Sequence, residues 1–113
     1  CVYDSLALAY KHNILALEKL TGRKIDVLHI VGGGSNNIML NEATADALGT
    51  RVTAGPGEGT ALGNILCQLI ALGKVKDAEE ARQIVRNSTD IKEYYPKNEQ
   101  IFAKAYERFL KLL

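Results

Sequence analysis

The chain has 113 residues, of which 47% are hydrophobic and 24% are charged, and its formal net charge at pH 7 is +1. This balance fits one globular domain with a packed core. It excludes the large basic field by which proteins hold nucleic acid or an anionic membrane surface, and no apolar run approaches the ~20 residues that span a bilayer. We therefore expect no nucleic-acid partner and no membrane partner.

The two cysteines, Cys1 and Cys67, have neither a metal-ligand spacing nor a redox spacing. The chain also lacks a charged start followed by a hydrophobic core, the pattern of a secretion signal. These features favour the reducing cytoplasm. Because the sequence begins with Cys1 and enters helical patterning at once, we expect its natural start to lie upstream.

Helical and strand patterns alternate in the first half of the chain. Apolar residues recur at helical spacing over Ser5 to Leu20, and Thr21-Gly22 supplies a stop. A β-branched run at 25–31 predicts a largely buried strand. Asn36 or Asn37 can cap a second helix that ends before Gly49, and a second strand follows at 50–54. The expected inner face of the second helix is Met39, Leu40, Ala43, Ala47 and Leu48.

Three helices are predicted in the second half of the chain. Thr60 to Leu72 is almost wholly apolar, so we expect this helix to be buried on most sides, with Gly63 packed closely beneath the first loop. Charged and amphipathic helices are predicted at 75–87 and 97–113. The two strands should be parallel because helices cross between them. A sheet of two strands is small, and we expect further chain to cover its edges.

The loop after the first strand, GGGSNN at residues 32–37, has the composition of a nucleotide-binding turn. Small residues at a strand-to-helix turn let a phosphate or nucleotide approach the backbone. Ser35 can donate a hydroxyl hydrogen bond, and the amide of Asn36 or Asn37 offers the donor and acceptor that a purine edge requires. The spacing is neither the dinucleotide pattern nor a Walker loop. A tight turn followed by an Asn cap explains the same residues equally well.

The stretch LHIVGGGSNNIMLNEATADALGTRV, read with AGPGEGTALGNI and the ending YYPKNEQIFAKAYERFLKLL, resembles the C-terminal part of the FGGY family of carbohydrate kinases. The resemblance extends over nearly the whole chain. Within the family, His29, the AGPGE turn and Asn64 are most similar to the subfamily that phosphorylates L-rhamnulose. His29 itself is interpreted as a hydrogen-bonded structural residue.

The resemblance implies an α/β fold: the C-terminal part of an actin-like ATPase (ribonuclease H-like) domain, with a short parallel sheet and flanking helices. It implies that the backbone at Gly33 and Gly34 lies against the ribose and α-phosphate of ATP and that Asn37 reaches the adenine, with Ser35 in the same loop. It also implies a catalytic aspartate, phosphate loops and a Mg²⁺ site elsewhere, because none of those motifs occurs in these 113 residues.

These inferences define residues 1–113 as the nucleotide-side segment of the second kinase domain. The segment alone should be catalytically inactive, since phosphoryl transfer depends on positioning by both sides of the cleft. Its uncovered apolar surface predicts a homodimer or higher assembly. Two alternatives stay open: another FGGY kinase, acting on xylulose, fuculose or glycerol, and a non-enzymatic α/β interaction module.

Overall fold

The computed structural model describes residues 2–113, and Cys1 lies outside the described residues. A short 3₁₀ turn, Gly33–Asn36, follows the first strand. The helices and strands, in chain order, are α1 (Val2–Thr21), β1 (Val27–Ile30), α2 (Ile38–Leu48), β2 (Arg51–Ala54), α3 (Gly59–Ala71), α4 (Ala78–Ser88), β3 (Lys92–Tyr94) and α5 (Glu99–Leu110).

The three strands form one sheet in the order β1-β2-β3. β1 and β2 are parallel, with Val27 opposite Arg51 and Ile30 opposite Ala54, as predicted. β3 is antiparallel to β2. The prediction of a parallel sheet is therefore wrong, because the sheet is mixed. Three residues without alternating polarity give no strand signal of their own, and β3 is extended because it pairs with β2.

The hydrophobic core lies where α1, α2 and α5 pack together. Small residues dominate it: Ala43 and Ala47, both predicted, are buried against α1, so the two helices approach closely. Met39, also predicted to face inward, is 68% exposed. The buried residues and those packed against them are Ala7, Leu8, Ala43, Ala47, Phe102, Ala105, Tyr106 and Phe109.

Capping groups set the boundaries of the later helices. α4 begins at Ala78 because the Asp77 carboxylate accepts the Glu80 N–H at 2.9 Å. Asp46 of α2 accepts hydrogen bonds from the backbone N–H groups of Lys97 at 2.6 Å and Asn98 at 3.1 Å. These bonds hold the chain just before α5, which starts two residues later than predicted.

The apolar helix α3 is not buried within the chain, contrary to the prediction. None of its residues is buried, Ile65 is 54% exposed, and nothing lies within 4 Å of a Cβ built on Gly63. α3 packs against α4, away from the α1–α2–α5 core. The radius of gyration is accordingly 16.4 Å, against about 13 Å for a compact domain of this length. An apolar pattern shows what a helix can bury, not where its partner lies.

Most of the outward face of α1 is likewise uncovered, and Leu20 is 82% exposed. Across residues 2–113, no helix combines the length and the hydropathy needed to cross a bilayer.

Candidate functional site

The candidate site lies at the carboxyl ends of the two parallel strands. The glycine loop, residues 32–37, follows β1, and the GPGEG turn, residues 55–59, follows β2. Two backbone hydrogen bonds join the segments: Gly55 N–H donates to Ile30 O at 2.8 Å, and Gly32 N–H donates to Pro56 O at 3.0 Å. Ligands of open α/β sheets bind at this edge. The two loops therefore form one fixed surface where a ligand is expected.

The three consecutive glycines differ in why the chain needs them. Gly32 has φ +86°, a conformation that side chains disfavour. Gly33 and Gly34 do not have positive φ, they are exposed, and nothing lies within 4 Å of a Cβ built on either. Neither backbone strain nor internal packing requires glycine at these two positions. The absence of side chains there leaves a stretch of bare backbone open to a ligand.

Ser35 and Asn37 both take part in the local structure of the loop. Ser35 is buried and its hydroxyl donates to Gly32 O at 2.7 Å. Asn37 is the N-cap of α2, where its Oδ1 accepts the Leu40 N–H at 3.1 Å. The cap interpretation is thus confirmed. The bond uses Oδ1 and leaves the Nδ2 group for another partner, so adenine contact by Asn37 stays a prediction.

Beneath the loop lies Asn41, which sequence reasoning missed. Its side chain is fully buried, and its Nδ2 donates to Ser35 O at 2.8 Å. The signal in the sequence is weak: an Asn one turn after the cap, among residues of apolar helix spacing.

His29 has the structural role expected of it. His29 Nδ1 lies 2.6 Å from Thr53 Oγ1 on the neighbouring strand, as its interpretation as a structural histidine requires. Within residues 2–113, no cluster of His, Cys, Asp or Glu side chains is arranged to hold a metal ion.

A cavity of about 200 Å³ opens between the two loops and β3. The glycine loop contributes Ser35 and Asn36 to its lining, and the β3 region contributes Asp90, Lys92 and Tyr94. No local pattern in the sequence indicates this third wall, because the pairing of β3 with β2 brings it there. The cavity therefore combines bare backbone, amide groups and one charge of each sign beside the candidate nucleotide loop.

Sequence comparison defines the family. The model of the FGGY family of carbohydrate kinases, C-terminal domain, matches residues 1–72, which include both loops of the site. The chain belongs to the FGGY family of carbohydrate kinases.

Curated relatives extend the similarity to most of the chain. A rhamnulokinase from Bacillus subtilis (strain 168) is 51% identical over 98 residues, or 87% of this chain. A rhamnulokinase from Enterococcus faecalis (strain ATCC 700802 / V583) is 48% identical over 98% of this chain. Another, from Bacteroides thetaiotaomicron, is 40% identical over 96% of this chain. The chain spans about a fifth of the length of these relatives, between 20% and 23%.

Proposed function

We propose that this chain is the nucleotide-side segment of a rhamnulokinase, in an actin-like ATPase domain. As a whole, that enzyme transfers the γ-phosphoryl group of ATP to L-rhamnulose and yields L-rhamnulose 1-phosphate and ADP. The segment supplies the adenosine-binding loop, with backbone contacts at Gly33 and Gly34 and side-chain groups from Ser35 and Asn37.

The observation that supports this role best is the pair of glycines with no internal reason to be glycine. Gly33 and Gly34 have ordinary backbone angles and open space where a side chain would lie. A nucleotide that lies directly against the main chain leaves no room for Cβ atoms, which explains why both positions are glycine. The exposed loop at the carboxyl edge of parallel strands fits the same ligand.

Asn37 is suited to an adenine contact because the oxygen and the nitrogen of its side-chain amide can have different partners. Oδ1 caps α2, which fixes the side chain at the edge of the loop. Nδ2 is then free to donate to a purine ring nitrogen, which is an acceptor. The cap thereby becomes part of the recognition, since it orients the donor.

The sugar assignment rests on the three relatives described above, which are 40% to 51% identical to this chain and are named rhamnulokinase. The catalytic base, the phosphate loops and the Mg²⁺ site belong to the remainder of the enzyme. Mg²⁺ would neutralise charge on the transferred phosphoryl group when bound. We place the enzyme in the cytoplasm, where ATP and reduced thiols are available.

The test is a substrate profile of the full-length kinase that contains this segment. ADP release is measured with L-rhamnulose, xylulose, L-fuculose and glycerol, and the phosphorylated carbon of the product is assigned by NMR. We expect the highest kcat/KM for L-rhamnulose and phosphate on carbon 1. Preference for another sugar would move the protein to a different FGGY kinase, and no ADP release with any sugar would refute the kinase proposal.

The non-enzymatic interaction module is not favoured, because the curated relatives named above are kinases.

A further inference from the structure

The polar residue Asn41 is fully buried in α2, behind the glycine loop. Its Nδ2 donates to Ser35 O at 2.8 Å, whereas its Oδ1 has no hydrogen-bond partner among the described residues. The orientation of the amide is determined, because a carbonyl such as Ser35 O requires the donor end to face it. Burial of an unpaired oxygen is unfavourable, so the stability of the fold alone does not explain an amide here.

The bond from Asn41 is one of a connected series that fixes both ends of the loop. Ser35 O accepts from Asn41, and the Ser35 hydroxyl donates to Gly32 O at 2.7 Å. Gly32 N–H in turn donates to Pro56 O at 3.0 Å on the neighbouring turn. The two exposed glycines, Gly33 and Gly34, lie between these attachments. The Gly34 carbonyl accepts the Asn37 N–H at 3.2 Å, and nothing lies within 4 Å of a Cβ built on either glycine.

We propose that Asn41 is a positioning residue for nucleotide binding: it holds the Ser35 peptide so that the Gly33-Gly34 backbone keeps the shape a nucleotide requires. This inference rests on the proposed function of the glycine loop. Asn41 is buried and acts through Ser35, so it contacts no ligand itself. Its loss should therefore weaken ATP binding and leave sugar binding unchanged.

The same helix offers a matched control. Thr44 is also fully buried, and its hydroxyl donates to Leu40 O at 2.7 Å, a bond that stays within α2. Thr44→Val removes a buried hydrogen bond of similar kind without touching the loop. Asn41→Leu removes the amide and keeps a side chain of similar shape.

The experiment compares Asn41→Leu, Thr44→Val and Gly33→Val with the wild type in the full-length kinase. We expect Asn41→Leu to raise the KM for ATP about tenfold, with the KM for the sugar within twofold, and Thr44→Val to change neither. A second readout needs no nucleotide: hydrogen exchange at the Ser35 and Asn37 amides, whose hydrogen bonds to Gly32 O and Gly34 O close the loop, should be faster in Asn41→Leu alone.

The outcomes separate the two proposals. If Gly33→Val raises the KM for ATP but Asn41→Leu changes neither that KM nor loop exchange, the positioning role is refuted and the nucleotide loop stands. If neither variant affects ATP, the proposed function fails. If Asn41→Leu and Thr44→Val change the KM for ATP and the loop exchange equally, the role of Asn41 is limited to stability. Should Asn41→Leu not fold, Asn41→Ser takes its place, because the shorter side chain cannot reach Ser35 O, and the same outcomes apply.

Discussion

Substitution of Gly33 can separate an effect on ligand binding from an effect on folding. Its backbone angles are accessible to all residues, and a Cβ built there meets nothing within 4 Å. Gly33→Val should therefore change the free energy of unfolding by no more than about 0.5 kcal/mol. If ATP lies against this backbone, as proposed, the added atoms compete with it for space. Overpacking of this kind costs about 1–3 kcal/mol, which corresponds to an increase of about 5- to 150-fold in the dissociation constant for ATP.

The assay is titration calorimetry of the full-length kinase with ATP, together with steady-state KM values for both substrates. Gly63→Ala in α3 is the matched control, since that glycine also has open Cβ space and no positive φ. It should raise stability by about 0.5–1 kcal/mol and leave ATP binding unchanged. A folded Gly33→Val enzyme with wild-type affinity for ATP would remove the loop from the nucleotide site.

Two other substitutions test the loop and the core separately. Asn37→Ala should lower the free energy of unfolding by about 1 kcal/mol because the cap is lost. It should also weaken the binding free energy of ATP by about 1–3 kcal/mol and reduce the preference for ATP over GTP. Equal losses for both nucleotides in calorimetry would assign Asn37 to capping alone. Asp46→Ala removes the acceptor of the Lys97 and Asn98 N–H groups. It should lower the free energy of unfolding, measured in urea, by about 1–3 kcal/mol without a change in the KM for ATP or for the sugar. An unchanged unfolding midpoint would show that water replaces the carboxylate.

The elements predicted correctly are those whose signals are local. Asn37 and Gly49 bound α2 because a cap and a left-handed C-terminal glycine act within one turn of chain. The parallel orientation of β1 and β2 was predictable because a helical segment crosses between them. The glycine loop was recognised as a candidate site for the same reason, since bare backbone between a strand and a helix is visible in the sequence.

The missed features depend on contacts between distant segments. β3 is a strand only because it pairs with β2, and it brings Lys92 to the cavity from a stretch for which no strand is predicted. The role of Asn41 depends on which carbonyl its amide meets, which periodicity does not encode. The exposure of α3 was missed because an apolar sequence does not specify its covering surface.

The uncovered apolar faces make a physical prediction about the 113-residue chain as a separate molecule. α3 has no buried residue, and Ile65 is 54% exposed. Leu72, which follows α3, is 73% exposed, and Leu17 and Leu20 of α1 are 50% and 82% exposed. Among the described residues, β1 is also an edge strand with one side unpaired. Monomeric proteins rarely leave large contiguous apolar patches in water.

We therefore predict that the isolated chain forms a homodimer or a higher assembly through α3, because a second copy supplies a self-complementary apolar face by two-fold pairing. Light scattering over a dilution series measures the mass. Ile65→Lys places a charge in that face and should shift the chain toward monomer, whereas Gln83→Lys, on an exposed position of α4, adds the same charge and should not. A folded monomer that persists at high concentration would contradict the prediction. The chain would then be stable with its apolar face in water. An independent module must have that property, whereas a segment of a larger kinase does not need it.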